Sequence, residues 1–121
     1  NCKRLAEIII PNSVTQLSEW AFSGCTTASS LTIGNGLSEI GNYAFYDCQR
    51  LTTVSIPDGV HTIDVGAFAN CSQLSSVTIP DSMRTISTKA FENTAISSVT
   101  INPLCSVGDS AFPLGCAINN R

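Results

Sequence analysis

The amino-acid sequence predicts a repeat solenoid, a right-handed coil of about five repeats with one parallel β-sheet and short irregular or 3₁₀ turns. The dipeptide Ala-Phe recurs at residues 21, 44, 67, 90 and 111, with spacings of 23, 23, 23 and 21 residues. Apolar residues recur around each pair, so the repeat can be written L-x-x-V-x-I-P-x-x-V-x-x-I-x-x-x-A-F-x-x-C-x-x. A fixed period of this length is typical of solenoids, in which each repeat buries its apolar face against the next copy.

The columns of apolar residues run through nearly the whole chain, which predicts a single domain over residues 1–121. We place the repeats at about 5–27, 28–50, 51–73, 74–95 and 96–116. The 43% hydrophobic content is enough for a continuous core. Cys2 stands 23 residues before Cys25, at the end position of a repeat. We therefore expect a fragment or processed product of a longer chain, with neighbouring repeats or domains in the intact protein.

Each repeat should begin with a short strand. Residues 52–56 are rich in β-branched side chains and end in alternation, which directs Val54 and Ile56 inward. The equivalent segments are 6–10, 29–33, 75–79 and 97–101, and stacking them would make one continuous parallel sheet. Pro57-Asp58-Gly59 ends the strand, because proline cannot donate to a ladder and this tripeptide favours a turn.

After this corner, each repeat should return through a compact segment. Val60 and Ile63 point inward, and residues 64–68 are too few for a regular helix, so an irregular or 3₁₀ turn is expected. Phe68 supplies the volume that fills the coil. We expect Phe45, Phe68 and their equivalents to be almost wholly buried and stacked on one another.

Cys2, Cys25, Cys48 and Cys71 share one column of the repeat, and Cys116 lies near the same place. Repeat spacing predicts that they are small, buried, reduced side chains. A metal site needs ligands that converge on one point, whereas a column places sulfurs in a row about 4.8 Å apart. No metal and no cofactor are expected.

The charge balance excludes several functions. Only 12% of the residues are charged and the net charge is −3, so there is no basic stripe for nucleic acid. No run approaches the roughly 20 apolar residues of a membrane span.

His61 is the only histidine and occupies an outward position without a nucleophile nearby. The acidic residues are scattered over unlike repeat positions, so the sequence predicts no catalytic residues and no enzyme.

The segment from Leu51 to Cys71 resembles a repeat of the BspA-like leucine-rich-repeat family, with a 23-residue period. Residues 5–25, 28–48 and 51–71 match nearly in full, although the second copy has Ala28 and Gly34. The fourth copy has Thr94 in place of cysteine, and the fifth is two residues shorter. The resemblance implies a leucine-rich-repeat solenoid on an extracellular or cell-surface protein. If the protein is secreted, a Cys105–Cys116 disulfide stays open as a hypothesis.

The outward face of the predicted sheet is the candidate binding surface, because it is almost uncharged and rich in hydroxyl groups. Its residues are Ser30, Thr32, Thr53, Ser55, Ser76, Thr78, Ser98 and Thr100. Ser and Thr are also good strand residues, so they could serve solubility alone. Solenoids, however, present such sheets to partners. We expect any partner to dock here and not on the side that bears Asp47, Asp64 and Glu92.

The sequence is compatible with three functions. The resemblance favours a secreted or cell-surface adhesion and binding module that contacts a protein or a glycan through the sheet face. The alternative is an architectural spacer without a ligand of its own. The third is an ice-binding solenoid, which needs a flat, regular Thr array; mixed Ser and Thr, with Ile9 in the column, argue against it.

Overall fold

The computed structural model describes residues 4–120 as a β-solenoid of ten short strands without a helix in that range. The coils follow one another in sequence order and all strand pairing is parallel. The strands are β1 (Glu7–Ile10), β2 (Ser30–Ile33), β3 (Glu39–Ile40), β4 (Thr53–Ser55), β5 (Thr62–Ile63), β6 (Ser76–Thr78), β7 (Thr85–Ile86), β8 (Ser98–Ile101), β9 (Ser106–Val107) and β10 (Ala117–Asn120). The predicted coils are present, and β10 begins a further one.

The strands β1, β2, β4, β6, β8 and β10 occupy the predicted strand position of successive coils. Burial alternates in β1, β2, β4, β6 and β8 as the period-2 pattern requires, whereas all four residues of β10 are exposed. Val54, for example, is buried between exposed Thr53 and Ser55. The inward residues join the core, and the outward residues form one face of the solenoid.

The prediction of one continuous sheet is wrong. β1 pairs with β2, β4 with β6, and β8 with β10, which gives three two-stranded sheets on this side. Across the gap before β8, the turn from Thr94 to Ile96 is one residue shorter than the turn from Cys71 to Leu74. At the other gap, between β2 and β4, Leu31 and Ile33 of β2 are only half-buried, so β2 lies less deeply in the core than the strands that follow it. Strands of three or four residues form few ladder bonds, and a small local shift is enough to break them.

A second parallel sheet, which the sequence analysis did not predict, follows the corner of each coil. It has four strands in the order β3, β5, β7, β9. Ile40, Ile63 and Ile86 lie opposite one another and are fully buried. Each strand has only two residues, which is too short to show a periodicity in the sequence. The pairing exists because the coils are stacked at hydrogen-bonding distance.

The return segment of each coil is a series of turns. Ala67, Ala69 and Cys71 donate backbone hydrogen bonds to Asp64, Gly66 and Phe68, three residues earlier. They agree with the irregular or 3₁₀ turn expected from the sequence. They do not join into a helix, because a left-handed residue interrupts them twice in every coil. Left-handed backbone stands before each Ala-Phe pair, at Trp20, Tyr43, Gly66, Lys89 and Ser110, and again before each Cys position, at Gly24, Asp47, Asn70, Asn93 and Gly115. Asn, Asp and Gly tolerate this conformation best.

The core is one column of side chains with the phenylalanines at its centre. Phe45, Phe68 and Phe91 are completely buried, which confirms the prediction for the middle coils, while Phe112 is buried and Phe22 half-buried at the ends. Consecutive rings are nearly parallel, with interplanar angles from 1° to 9° and centroids 5.1–5.5 Å apart. The backbone is tied along the same line, because Phe45 N–H donates to the Ala67 carbonyl and Phe68 N–H to that of Ala90.

We expect Phe68→Ala to lower the free energy of unfolding by about 3–5 kcal/mol, because it leaves a cavity between two stacked rings. Phe112→Ala should cost less, since Phe112 stacks on Phe91 alone and an end coil has one interface. Denaturant melts of both variants measure the difference. Equal losses at the two positions would contradict nearest-neighbour stacking.

Candidate functional site

The eight Ser and Thr residues singled out from the sequence lie together on the outer face of the strands, here called the hydroxyl face. All eight are exposed. The structure places them in two columns that follow the coils. One column contains Ser30, Thr53, Ser76 and Ser98, and the other contains Thr32, Ser55, Thr78 and Thr100.

The strand register shows which residues are neighbours in each column and where the hydroxyl side chains are replaced by other residue types. Ser55 lies opposite Thr78, but Thr32 lies opposite Ile9 and Thr100 opposite Asn119. Ile9 is 62% exposed, so the first coil presents an apolar side chain where the others present hydroxyls. Strands β2, β4, β6 and β8 carry no charged residue. The hydroxyl face is therefore neutral and hydrogen-bonding, but it is not the regular Thr array that ice binding requires.

Two shallow depressions mark the hydroxyl face. One of about 240 Å³ lies between β6 and β8, where the backbone ladder is interrupted, and is lined by residues 77–79 and 98–100. A second of about 420 Å³ lies at the ends of β4 and β6, lined by residues 55–58 and 78–81. Ser55, Thr78, Ser98 and Thr100 contribute to one or both of them.

Within residues 4–120, no group of three or more His, Cys, Asp or Glu side chains is placed so that it could hold a metal ion. His61 is exposed, as predicted, and its Nδ1 lies 3.3 Å from the carbonyl oxygen of Ser82. Over the same residues, no helix has the length and apolar character needed to cross a membrane.

The cysteine column is buried, as the sequence predicts for Cys25, Cys48 and Cys71, and none of the three is in a disulfide. Cys2 lies outside the described residues. The thiols also form hydrogen bonds between coils. Cys48 Sγ donates to the Phe22 carbonyl and Cys71 Sγ donates to the Phe45 carbonyl, each at a distance of 3.2 Å. The hydrogen bond with Cys71, and then burial, raise the pKa of the Cys48 thiol far above its usual range. The protonated thiol is therefore the form that links one coil to the next.

The hypothetical Cys105–Cys116 disulfide is not formed. Both cysteines are half-buried free thiols. Cys105 Sγ lies 3.7 Å from the Ser106 carbonyl, and Cys116 Sγ lies 3.8 Å from the Ala117 carbonyl. Burial raises the pKa of both thiols. Each thiol therefore turns to the carbonyl of the next residue in the chain.

An aromatic cluster that was not predicted from the sequence lies on the return side. Trp20 and Tyr43 stack with centroids 4.4 Å apart and an interplanar angle of 10°, and Tyr46 meets both edge-on. The next residue of the Trp20 and Tyr43 column is Gly66, where a Cβ atom would stand 2.3 Å from Cε1 of Tyr43. The signal was present in the sequence, since Trp20 and Tyr43 both precede an Ala-Phe pair.

A protein-family model described as the BspA type leucine rich repeat region, with six copies, matches residues 1–118. A search of curated proteins finds no match. The strand β10, at the start of a further coil, agrees with a sixth copy.

Three solved bacterial structures have the same fold. A leucine-rich repeat protein from Bacteroides ovatus is 23% identical, with a TM-score of 0.84 over 95% of this chain and 33% of that one. One from Eubacterium ventriosum is 27% identical, with a TM-score of 0.82 over 92% of this chain and 30% of that one. A leucine rich cell surface protein from Faecalibacterium prausnitzii is 29% identical, with a TM-score of 0.72 over 98% of this chain and 40% of that one. The chain thus spans 30–40% of the length of these proteins.

The burial of the thiols predicts two reactivity classes. At pH 8, native protein treated with an alkylating reagent should be modified at the half-buried Cys105 and Cys116 but not at Cys25, Cys48 or Cys71, because the latter are fully buried. Denatured protein should react at all six cysteines of the chain. Peptide mapping by mass spectrometry assigns each site. Fast labelling of Cys48 in the native protein, or its recovery in a disulfide, would contradict a buried thiol that donates a hydrogen bond to the Phe22 carbonyl.

The contact between Tyr43 and Gly66 predicts a coupled pair. Gly66→Ala should destabilise the fold by at least about 1–2 kcal/mol, because φ is +65° and the new Cβ meets the Tyr43 ring. In a Tyr43→Ala background the ring is absent, so the same change should cost less. Denaturant melts of the four proteins in this cycle measure the coupling. An identical cost in both backgrounds would show that Tyr43 does not occupy the space above Gly66.

Proposed function

The chain belongs to the BspA-type leucine-rich-repeat family, and from this premise we propose that it is a non-enzymatic binding module of an extracellular or cell-surface protein. The ligand is a protein or a glycan that docks on the hydroxyl face. The similarity to the leucine rich cell surface protein of Faecalibacterium prausnitzii supports the location. The exposure of all eight predicted hydroxyl residues on successive strands carries the choice of surface.

The hydroxyl face suits an extended, uncharged ligand. A Ser or Thr hydroxyl both donates and accepts, so it can meet the hydroxyl groups of a glycan or the peptide groups of an extended chain. The two columns repeat these groups once per coil, at the spacing of neighbouring strands, about 4.8 Å. A linear ligand lying across the strands would therefore meet the same chemistry several times, and the contributions would add along its length.

The position of the depressions refines this proposal. One lies at the ends of β4 and β6 and the other between β6 and β8, so both lie beside Thr78, with Ser55, Ser98 and Thr100 at their margins. A ligand that crosses β4, β6 and β8 can seat protruding groups in them. The apolar Ile9 and the charged Glu7 of β1 lie at the N-terminal margin of the hydroxyl face. We therefore propose that residues of β2 to β8 make the main contacts.

The test compares two triple substitutions of equal charge. Thr32→Lys, Ser55→Lys and Thr78→Lys together place long cations on the hydroxyl face, while Thr62→Lys, Thr85→Lys and Ser106→Lys place them on the outer face of the second sheet. Glycan and peptide arrays identify a ligand of the wild type, and titration then compares the three proteins. We expect the first variant to lose at least tenfold in affinity and the second to bind as the wild type does.

The salt dependence of the same ligand provides an independent check. Because the hydroxyl face is uncharged, few ion pairs would be screened, and affinity should change less than about threefold between low and high salt. Loss of binding in the second triple variant, with none in the first, would assign docking to the other sheet. Arrays on which the wild type binds nothing would favour the architectural spacer.

A further inference from the structure

The corner between β2 and β3, here called the second corner (residues 34–37), is built differently from the corners of the other coils. Each of those is closed by a backbone hydrogen bond across three residues, from Val14 to Pro11, Val60 to Pro57, Met83 to Pro80 and Cys105 to Asn102. In the part of the chain that the structure describes, the N–H of Leu37 donates no equivalent bond to Gly34. The second corner therefore lacks the interaction that holds the others closed.

The sequence of the second corner adds to its freedom. It reads Gly34-Asn35-Gly36, whereas the first, third and fourth corners begin with proline, which fixes φ. The loss of one turn hydrogen bond makes local opening about two- to tenfold more favourable. The second corner lies between described coils on both sides. It is thus a weak point within the stack of coils and not at one of its ends.

Asn35 and Gly36 form the only Asn-Gly pair in the chain, and both present unbonded groups. Asn35 is exposed, and over residues 4–120 its side-chain amide has no hydrogen-bond partner. Its backbone N–H is held separately, because it donates to Oδ1 of Asn12 over 2.9 Å. The N–H of Gly36 has no acceptor among the same residues. Asparagine is one of the thermolabile residues of proteins, so a reactive amide stands here beside an uncommitted backbone nitrogen.

The third corner carries the matching pair Asp58-Gly59, but its groups are held. Gly59 N–H donates to Ser82 Oγ over 3.1 Å, and Ser82 Oγ donates to the Val60 carbonyl over 2.8 Å. This corner also has its closing backbone hydrogen bond. A carboxylate is in addition a poorer electrophile than an amide, because its negative charge repels a nucleophile. The chain thus supplies an internal control for the second corner.

We propose that Asn35 is a site of covalent self-modification, at which asparagine converts to a mixture of aspartate and isoaspartate. The Gly36 nitrogen attacks Cγ of Asn35, the Cγ–Nδ2 bond breaks, and ammonia leaves with the proton of Gly36, which gives a succinimide. Water then opens this ring and gives its hydroxyl to a carbon and its proton to the nitrogen. Addition at Cγ yields aspartate, and addition at the main-chain carbonyl carbon yields isoaspartate. The reaction does not depend on a ligand of the hydroxyl face.

Isoaspartate disturbs the fold at this position because the second corner is packed directly on the first. Gly34 N–H donates to the Ile10 carbonyl over 2.7 Å, and a Cβ atom at Gly36 would collide with the Asn12 carbonyl oxygen. Isoaspartate adds one methylene group to the main chain, so the longer corner cannot keep both contacts. Aspartate, which the third corner carries naturally, changes only the charge.

Incubation of the native wild type at pH 8 and 37 °C, followed by peptide mapping, measures the reaction. The peptide that contains Asn35 should acquire the mass of an acid in place of an amide, and fragmentation should assign the change to Asn35. The rate should rise with pH, because attack requires the deprotonated nitrogen of Gly36. Enzymatic methylation of isoaspartate should label Asn35 at least about tenfold more than Asp58, since the open corner and the better electrophile act together.

Two variants separate the chemistry from its consequence. Asn35→Gln keeps an amide but would need a larger ring, so it should stay unmodified and its denaturant melt should not change during incubation. Asn35→Asp carries the new charge without the extra methylene and should melt close to fresh wild type. Incubated wild type should melt at lower denaturant than either variant. Its β1 and β2 amides should exchange hydrogen severalfold faster, while those of β5 and β7 stay unchanged, because coupling in a solenoid is to nearest neighbours.

Three results would overturn the proposal. The first is that Asn35 stays intact in the native protein under conditions that convert it in the denatured chain, which would show that the second corner is closed. The second is that Asn42 or Asn70 converts as fast as Asn35. The third is that isoaspartate forms at Asn35 but leaves both the melt and the hydrogen exchange of β1 and β2 as in fresh protein.

Discussion

The coil-to-coil stack of phenylalanines is the interaction on which the rest of the structure depends. Five rings lie parallel along the solenoid axis, and those of the middle coils are fully buried. Stacked aromatic rings keep a nearly constant separation, so the stack fixes the rise from one coil to the next at a value close to the spacing of neighbouring strands. The backbones of successive coils are then within hydrogen-bonding distance on three sides, even where a strand has only two residues.

This constraint explains why a free thiol recurs beside the phenylalanine stack. The carbonyls of Phe22, Phe45 and Phe68 accept the backbone N–H three residues later in their own coils, and those of Phe22 and Phe45 also accept a thiol from the next coil. A carbonyl oxygen has two lone pairs, so both bonds can form at once. Thr94, in the cysteine position of the fourth coil, directs its hydroxyl to the Phe91 carbonyl of its own coil. It satisfies an acceptor but does not link two coils.

Because the core fixes the pitch, the outer positions are free to carry function. On the strand side they form a neutral surface of hydroxyls with two shallow depressions. On the return side, the left-handed position before Ala-Phe is filled by Trp20 and Tyr43 in two consecutive coils and by Gly66 in the third. The same scaffold therefore carries two kinds of surface. The hydroxyl face is repetitive because the repeat itself places Ser and Thr in each coil, whereas the aromatic cluster is local because two coils depart from the repeat at the position before Ala-Phe.

The sequence by itself determined the solenoid, the inward columns and the exposure of the hydroxyl face, because period, β-branched alternation and turn residues are local properties of each repeat. It also placed Cys25, Cys48 and Cys71 in the core. The tertiary structure alone decided that strand pairing is interrupted between β2 and β4 and between β6 and β8. It also decided the second sheet, the thiol hydrogen bonds and the fit of Tyr43 over Gly66. Each of these depends on the distance between residues 22–26 positions apart, as the hydrogen bonds from Thr27 to Leu5 and from Cys71 to Phe45 illustrate. That distance is set by how the coils stack, and no single repeat encodes it.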